Sequence, residues 1–412
     1  MFRIANQVRT THKLLRRSFA SVTTSDTSLT VSSVNATFPY IWLRDSCPCP
    51  SCIHPSNRQK LHRSSDFPDL PSEVKPSPGG VKVTDQGLSI KWESGHESTY
   101  PKEFLETYAS SKKLSAFHKD VEKKTWTLES ISKVKELYVT YDSLSTPTGL
   151  LTAIDQLTQY GLLFVTGVPN KETSHEKCEL RNLGEKFSEI RTTFYGQFFD
   201  VQNVKNSINI AYTNLDLGVH MDILYFQSPP RWQILHCLRN RVIGGASYFV
   251  DAIHAAHELY RADPEAFALL ASTPVAYHYI NDGHHYHQTH PTIELNPEPE
   301  VRSDGLPDIA YVNYSPPFQA PLPLSTPPAF YSALSKYAKI LNDPANTYTY
   351  TLKEGDAVLF DNRRALHART AFEEIEGQGA EGETNRWLKG CYLEGDAIYD
   401  RGRVLRGFHG SG

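Results

Sequence analysis

The chain has 412 residues, 39% of them hydrophobic, and a formal net charge of −4, a length that allows two domains of ordinary size. The weakly acidic balance, without long Lys/Arg runs, argues against nucleic-acid binding. No apolar stretch reaches the roughly 18 residues needed to cross a bilayer, so we expect no membrane partner either.

The N-terminal segment has an unusual composition. Its first 24 residues contain five Lys/Arg, several Ser and Thr and no acid, and Asp26 is the first acidic residue. Basic, Ser-rich and acid-poor N-termini are typical of mitochondrial transit peptides. We therefore predict a transit peptide over residues 1–26 and a mitochondrial protein, with a disordered basic tail on a cytoplasmic protein as the alternative.

Three cysteines follow closely: Cys47, Cys49 and Cys52. Thiols this near one another cannot pair sensibly as disulfides, and a mitochondrial or cytosolic protein keeps them reduced. As thiolates they can converge on one Zn²⁺ and leave one tetrahedral position to fill. A cluster of free thiols without metal is the alternative.

Three histidines are candidates for the fourth zinc ligand: His54, His62 and His96. Residues 80–92 read as a β-hairpin with a Gly-containing turn, and the Ser-Gly that follows turns the chain back, so we favour His96. The short loops to the other two histidines keep both open. We predict a zinc-binding β domain over residues 27–110, since so small a unit cannot hold a large hydrophobic core and a bound metal ion would stabilise it.

The rest of the chain is predicted to be a linker followed by a catalytic domain. Residues 111–145 are charged and read as the linker. Residues 146–160 have helical periodicity, Gly161 ends the helix, and an apolar strand follows. Strands and Pro/Gly-rich loops then dominate, so residues 146–412 predict a mainly β domain with flanking helices and a jelly-roll (double-stranded β-helix) core.

A metal-ligand pattern lies inside this domain. His220 and Asp222 are two residues apart on a predicted strand, where they point to the same face, and His367 ends another strand signal. Two His and one carboxylate form the facial triad that binds Fe(II) and leaves positions open for a cosubstrate and O₂. His-x-Asp alone is a weak signal, because most histidines are ordinary core or surface residues. Arg386 opens a further strand, where its guanidinium can bind a dicarboxylate, although a solvated strand-edge arginine is the plainer interpretation.

Several motifs together resemble the gamma-butyrobetaine/trimethyllysine dioxygenase family, the Fe(II)- and 2-oxoglutarate-dependent enzymes of carnitine biosynthesis. The motifs cover nearly all of the chain after the leader and occupy residues 41–49, 193–196, 211–213, 220–222, 235–237, 244–247, 360–363 and 389–392. The resemblance implies that O₂ and 2-oxoglutarate are consumed, that succinate and CO₂ are released, and that a C–H bond of a small trimethylammonium substrate is hydroxylated. It also implies ascorbate as reductant and a homodimer.

The resemblance assigns a role to each candidate residue. It implies that iron is held by His220, Asp222 and His367. It implies that 2-oxoglutarate is held by the iron and by Arg386, Ser247 and Leu235. It implies that structural zinc is held by Cys47, Cys49, Cys52 and His96.

The resemblance also implies an aromatic cage for the trimethylammonium group, formed by Tyr195, Phe199, Tyr212 and Tyr392. A quaternary ammonium donates no hydrogen bond, so ring faces are its natural partners. Phe199 departs from the usual Trp and is the weaker cation–π partner. Any one of these rings is more often a core residue, and only the joint match indicates a cage.

The two branches of the family differ in the far end of their substrate. Asn209 can donate to the bare carboxylate of butyrobetaine, whereas the Asp usual in the trimethyllysine branch would repel it. We therefore expect hydroxylation of butyrobetaine to L-carnitine. The leader and residues 222–227 favour the trimethyllysine branch, which is the alternative. Two further alternatives are a sulfonate oxygenase and a non-catalytic zinc-dependent binding protein.

Two segments depart from the family pattern. A Gly/Glu-rich insertion over residues 373–383 places Arg386 further from His367 than usual, so Arg369 is an alternative cosubstrate anchor. The His-rich stretch 278–290 is expected to be an exposed loop, because it lacks the strand or helix spacing that would aim its imidazoles together. A metal site and a mobile lid are the alternatives for this stretch.

Overall fold

The computed structural model describes residues 21–84, 87–202, 215–297, 304–374 and 384–409. The chain divides into two units, residues 1–118 and 119–412. None of the helices within the described ranges combines the length and apolarity needed for a bilayer crossing.

The first unit consists of two three-stranded antiparallel sheets and short helices. The strands are β1 Val22–Thr24, β2 Ser28–Val31, β3 Ala36–Pro39, β4 Pro76–Thr84, β5 Gly87–Trp92 and β6 Glu97–Pro101. The helices are α1 Tyr40–Asp45, α2 Lys102–Tyr108 and α3 Ser111–His118, with 3₁₀ turns at Ser64–Asp69 and Pro71–Glu73. The predicted hairpin is β4–β5, and its strands share a core that includes Leu88, Ile90 and Trp92.

The second unit is built mainly from strands, with helices around them. Its strands are β7 Tyr138–Thr140, β8 Leu162–Thr166, β9 Ile190–Arg191, β10 Phe199–Gln202, β11 Leu217–His220, β12 Trp232–Asn240, β13 Val242–Gly244, β14 Ser247–Asp251, β15 Pro274–Asn281, β16 His284–Pro291, β17 Ile293–Leu295, β18 Ile309–Val312, β19 Thr347–Tyr350, β20 Ala357–Asp361, β21 Ala365–Arg369, β22 Phe372–Glu374 and β23 Arg386–Leu393. Its α-helices are α4 Leu128–Ile131, α5 Pro147–Tyr160, α6 Glu179–Phe187, α7 Ala252–Ala262, α8 Pro264–Ser272, α9 Pro328–Leu341 and α10 Gly395–His409. Its 3₁₀ turns are Lys135–Leu137, Asp142–Ser145, Pro316–Phe318 and Pro344–Asn346.

Two sheets form the centre of the second unit. The larger has the order β10-β23-β12-β20-β8-β7, with β9 also paired to β23, and the smaller has the order β11-β21-β14-β19. They pack through apolar side chains: the ring of Phe249 on the smaller sheet lies 5.8 Å from Phe164 and 5.6 Å from Phe360 on the larger one. This is the two-sheet, mainly β arrangement with flanking helices that the sequence predicts.

Helix α5 shows how local sequence sets the start of the larger sheet. The side chain of Thr146 caps its first turn by accepting a hydrogen bond from Gly149 N, and Pro147 occupies the first helical position. Gly161 ends it with φ 73°, and β8 begins at the next residue. The predicted helix and the strand after it are therefore confirmed.

The expected linker over residues 111–145 is not a simple connector. Its first part is helix α3 of the first unit, and its second part belongs to the second unit, where β7 pairs in parallel with β8. Trp126 and Ile131 are fully buried in the core between the sheets. The segment is charged overall, and this composition predicts a linker even though its few apolar side chains belong to the core between the sheets.

The His-rich stretch is also not a loop. It forms the antiparallel hairpin β15–β16, whose turn has Asp282 at φ 50° and Gly283 at φ 74°. Asp-Gly between alternating strands is a strong hairpin signal because both positions tolerate positive φ. The expectation of an exposed loop was wrong, because the Asp-Gly turn and the alternation of buried and exposed residues on either side of it form a paired hairpin.

A buried ion pair connects the two sheets to α7. Arg364 donates to both carboxylate oxygens of Asp251, at 3.2 and 2.8 Å, and both side chains are almost fully buried. The carboxylate also caps α7 by accepting from Ile253 N and His254 N. The buried negative charge of Asp251 is therefore balanced by the guanidinium of Arg364.

We predict that Arg364→Met destabilises the protein by about 3–5 kcal/mol, because it leaves a buried carboxylate without its cation. The matched control is Arg403→Met, which removes the half-exposed pair with Asp120 and is expected to cost about 1 kcal/mol or less. Guanidinium unfolding monitored by circular dichroism measures both changes. Equal shifts of the midpoint for the two variants would contradict the prediction.

Candidate active site

A cavity between the two sheets collects most of the residues predicted to bind iron, cosubstrate and substrate. Those that line it are Tyr195, Phe199, His220, Asp222, Leu235, Ser247, His367, Arg386 and Tyr392. Two predicted substrate residues, Asn209 and Tyr212, lie outside the described residues.

Strand pairing brings the three predicted iron ligands together. On β11 and β21, His220 lies directly opposite His367, and their rings are 4.4 Å apart between centroids. The Nε2 atoms of His220 and His367 lie 3.7 and 3.8 Å from the carboxylate oxygens of Asp222. These separations are too long for hydrogen bonds but suit three ligands around one divalent ion.

Hydrogen bonding and burial prepare both imidazoles to bind metal. His220 donates from Nδ1 to the carbonyl oxygen of Gly218 at 2.8 Å, which leaves Nε2 as the lone-pair nitrogen that faces the site. Burial, aided by the nearby His220, lowers the pKa of His367 to about 3. Its imidazole is therefore neutral at physiological pH, as a metal ligand must be.

The carboxylate of Asp222 is held by two neutral donors from the larger sheet. Gln233 Nε2 and the Tyr392 hydroxyl donate to its Oδ2 at 2.8 and 3.1 Å, and these two residues are cross-strand partners on β12 and β23. Burial alone would raise the pKa of Asp222, but His367, His220 and these hydrogen bonds lower it below its ordinary value. The ligand is therefore ionised.

The backbone at Asp222 is fixed by a side-chain amide. Asn362, which is fully buried, accepts from Asp222 N at 2.9 Å and donates to Asp222 O at 3.1 Å. The next residue, Ile223, has φ 60°, a strained conformation for a β-branched side chain. Asn362 thus holds a backbone turn that aims the carboxylate beside the two imidazoles.

Sequence reasoning gave Gln233 and Asn362 no role. Gln233 is a polar residue inside the otherwise apolar start of β12, and such an exception in a buried strand is the signal that could have found it. Asn362 was noted only as part of a motif. The backbone that it holds, at Asp222, lies 140 residues away in the chain, and this contact cannot be read from local pattern.

Arg386 is a buried cation without a carboxylate partner among the described residues. It is 4% exposed, and its Nη2 donates a long hydrogen bond of 3.4 Å to Gly245 O. Burial and the neighbouring Arg369 lower its pKa to about 10, so it is still protonated at neutral pH. A buried guanidinium of this kind calls for an anion, and a ligand carboxylate fits.

Arg369, the alternative anchor, also lines the cavity. Its Nη2 donates to Leu215 O at 2.7 Å, and burial lowers its pKa to about 10 against the opposing effect of Asp216. Since Arg369 has these protein partners, the geometry favours Arg386 as the cosubstrate anchor.

The Gly/Glu-rich insertion does not displace Arg386 from the cavity. Its first two residues, Glu373 and Glu374, belong to β22, which pairs with β13, and Arg386, the first residue of β23, lies opposite Asn240 of β12. The rest of the insertion, residues 375–383, lies outside the described part.

An aromatic wall faces the metal ligands. The ring of Phe199 stacks on Tyr392 with centroids 5.1 Å apart and lies 6.1 Å from Tyr195. Gly390 makes room for Phe199, because a Cβ there would come within 2.3 Å of the ring. Tyr225, which is not among the predicted cage residues, also lines the cavity.

The cysteine cluster of the first unit has the donor set of a closed tetrahedral site. His96 Nε2 lies 3.4, 3.8 and 3.6 Å from the sulfurs of Cys47, Cys49 and Cys52. Burial, together with the nearby Cys47, raises the pKa of Cys52 to about 12, a cost that a bound cation would offset. The three sulfurs and the imidazole nitrogen all lie within 4.8 Å of one another, and this arrangement fits one zinc ion.

The other two histidine candidates are turned elsewhere. His62 Nε2 lies 3.1 Å from Asp45 O and 3.2 Å from its carboxylate, and His54 Nδ1 lies 3.1 Å from Ser56 Oγ. The structure therefore distinguishes His96 from its two competitors, which sequence spacing alone could not do.

Comparison with known proteins places this site in a family. Residues 129–392 match the Taurine catabolism dioxygenase TauD, TfdA family, and residues 21–106 match a domain described as Gamma-butyrobetaine hydroxylase-like, N-terminal. The chain belongs to the TauD, TfdA dioxygenase family. It is accordingly an Fe(II)- and 2-oxoglutarate-dependent dioxygenase, as the triad and Arg386 indicate.

Relatives of this TauD, TfdA family dioxygenase cover most of its length. It is 52% identical to Dioxygenase str8 of Strobilurus tenacellus, over 95% of this chain and 91% of that one. It is 30% identical to Gamma-butyrobetaine dioxygenase of Pseudomonas sp. (strain AK-1), over 90% of each chain. It is 31% identical to Trimethyllysine dioxygenase, mitochondrial, of Gallus gallus, over 89% of this chain and 83% of that one.

We predict that Asp222→Ala abolishes both iron binding and turnover, because it removes the one anionic ligand of the triad. The control is Asp400→Ala, which removes an exposed carboxylate of α10 and is expected to leave both unchanged. Iron content after gel filtration and 2-oxoglutarate consumption are the measurements. An Asp222→Ala variant that keeps wild-type iron and activity would contradict the triad.

Proposed function

We propose that this dioxygenase hydroxylates gamma-butyrobetaine to L-carnitine, the reaction of a gamma-butyrobetaine dioxygenase. One observation carries the proposal: a single cavity joins the metal triad, the guanidinium of Arg386, which has no carboxylate partner among the described residues, and the rings of Tyr195, Phe199 and Tyr392. This combination suits a small acid with a quaternary ammonium head.

The predicted site residues that line the cavity each have a part in this reaction. His220, Asp222 and His367 would hold the Fe(II) ion, which would supply the activation of O₂ coupled to the conversion of 2-oxoglutarate to succinate and CO₂, with ascorbate as reductant. Arg386 binds the far carboxylate of 2-oxoglutarate, and the Ser247 hydroxyl and the Leu235 side chain line the same part of the cavity. Gln233, Tyr392 and Asn362 keep the carboxylate ligand oriented throughout.

The aromatic wall suits the substrate cation. A trimethylammonium group has no N–H to donate, and ring faces attract it by about 0.5–2 kcal/mol each, more when water is excluded. Tyr225 adds a further ring to the predicted set. The substrate carbon to be hydroxylated then lies between this wall and the triad.

The choice of butyrobetaine rests on the substrate's other end. Asn209, a neutral amide, suits a carboxylate and gives no ion pair to the ammonium of trimethyllysine. The relatives named for the two substrates are equally similar to this chain, at 30% and 31% identity. Trimethyllysine is therefore the alternative substrate, and the predicted transit peptide over residues 1–26, which would direct the enzyme to mitochondria, favours it.

A second candidate is an oxygenase of anionic substrates such as sulfonates. Arg369 favours it, since it adds a second guanidinium to the cavity lining. Its contacts with Leu215 and Asp216 already offset that charge, so we rank this candidate below the quaternary ammonium acids.

The test is 2-oxoglutarate consumption by the leader-free protein with Fe(II) and ascorbate, offered butyrobetaine, trimethyllysine or taurine in parallel. We expect butyrobetaine to be turned over fastest and carnitine to be identified by mass. Fastest turnover of trimethyllysine would identify trimethyllysine as the substrate and leave the assignment of the site residues unchanged. Turnover of taurine alone would replace the quaternary ammonium hypothesis with the sulfonate one.

We predict that Asn209→Asp lowers the butyrobetaine-to-trimethyllysine ratio of kcat/KM by about 10-fold or more, since one misplaced charge is worth at least about 1.4 kcal/mol. Asn342→Asp, an exposed position after α9, is the matched control and should leave the ratio unchanged. An unaltered ratio in Asn209→Asp would remove the reason for preferring butyrobetaine.

We also propose that Cys47, Cys49, Cys52 and His96 hold a structural Zn²⁺. Three thiolates and one imidazole complete a tetrahedron and leave no open position for chemistry. The ion would then stabilise the first unit, and take no part in hydroxylation.

We predict that Cys49→Ser and His96→Gln weaken zinc retention by at least about 10-fold, because even residues behind the ligands of metal sites have effects of this size. His62→Gln is the matched control and should keep stoichiometric zinc. Zinc content after dialysis against a chelator is the measurement. Loss of zinc from His62→Gln but not from His96→Gln would identify a different fourth ligand.

A further inference from the structure

The hairpin β15–β16 places three imidazoles on one face. His278 lies directly opposite His287, and His285 lies opposite Ile280, two residues further along each strand. Residues two apart on a strand, and residues directly opposite on an antiparallel pair, project from the same face. His278, His285 and His287 therefore share the outer face, where His285 and His287 are exposed and His278 is half-buried.

The inner face of the same hairpin is packed. Tyr277 and Tyr279 are buried, and the ring of Tyr279 stacks on Tyr225 with centroids 5.2 Å apart. Tyr286 lies 5.1 Å from Phe194. Because this packing fixes the faces of both strands, the three imidazoles cannot exchange their outward position for an inward one.

The backbone distances suit a single metal ion. Cβ atoms of directly opposite residues lie about 4.5–5.5 Å apart, and Cα atoms two residues apart along a strand lie about 6.6 Å apart. In the structure the rings of His285 and His287 are 6.2 Å apart between centroids and inclined by 64°. The three imidazoles do not lie at ligand distance from one another as they stand, so metal binding requires that their side chains rotate on the fixed backbone to turn one nitrogen each to a common point.

We propose that His278, His285 and His287 form a surface site for Zn²⁺ or a chemically similar divalent transition metal, distinct from the iron triad and from the cysteine cluster. A His-x-His pair on one strand with a third His on the neighbouring strand supplies three nitrogen ligands, the donor type such ions prefer. The fourth position is left to water or to an external ligand. The exposed face makes the site accessible to metal from solution.

The site has a structural connection to the cavity. The ion would join the two strands on their outer face, and the inner face of the same strands supports Tyr225, which lines the cavity. Metal binding would therefore restrain the hairpin behind one wall of the cavity.

The test is Zn²⁺ uptake, measured by equilibrium dialysis and elemental analysis on full-length protein without an affinity tag. We expect the wild type to bind one more equivalent than the double variant His285→Gln/His287→Gln, in which the iron triad and the cysteine cluster are unchanged. His278→Gln alone should weaken this binding by at least about 10-fold, since it removes a direct ligand.

The matched control is His118→Gln, which removes an exposed imidazole from α3 and should keep the additional equivalent. Hydrogen exchange of residues 274–291 is a second readout: Zn²⁺ should slow exchange in the wild type and in His118→Gln but not in the double variant. Equal zinc uptake by wild type and double variant, or an equal loss in His118→Gln, would overturn the proposal. Neither measurement depends on turnover or on the identity of the substrate.

Discussion

The register between β11 and β21 is the constraint on which the site depends. After an irregularity between Leu217 and His220, it sets His220 directly opposite His367, so two ligands distant in sequence become neighbours on adjacent strands. A shift by one residue would turn either imidazole to the other face of the sheet. The third ligand needs more than pairing, because Asp222 lies beyond the strand end, where Asn362 and the unusual backbone of Ile223 determine its direction.

The charges in the cavity follow from the same arrangement. Asp222 is surrounded by neutral donors and imidazoles, so its negative charge is available to a metal ion. Arg386 is the reverse case, a buried positive charge available to an anion. Both groups line the same cavity, so Asp222 can serve a metal ion while Arg386 serves an anion beside it. The aromatic wall between the sheets then supplies the uncharged surface that a quaternary ammonium prefers.

The sequence predicted the parts of this protein that depend on short-range patterns. The pair His220 and Asp222, the three close cysteines and helix α5 each appear as a local spacing, and the fold brings the distant His367 and His96 to the first two. What it could not predict depends on contacts across the fold. Gln233 and Asn362 acquire their roles only once β12 and β23 lie beside the triad. The hairpin β15–β16 differs, because its signal is local: Asp282 and Gly283 form the turn, and alternating residues flank it on both strands.

The strand pairing at the two ends of the Gly/Glu-rich insertion has a consequence for the evolution of such enzymes. Because β22 is tied to β13 and β23 to β12, the position of Arg386 is set by its neighbours in the sheet. The number of residues between the last iron ligand and the anchor is then free to change by insertion or deletion while the distance in space stays the same. Chain length at this point can drift among descendants without cost to the chemistry, and a search for such enzymes by a fixed His-to-Arg interval would overlook them.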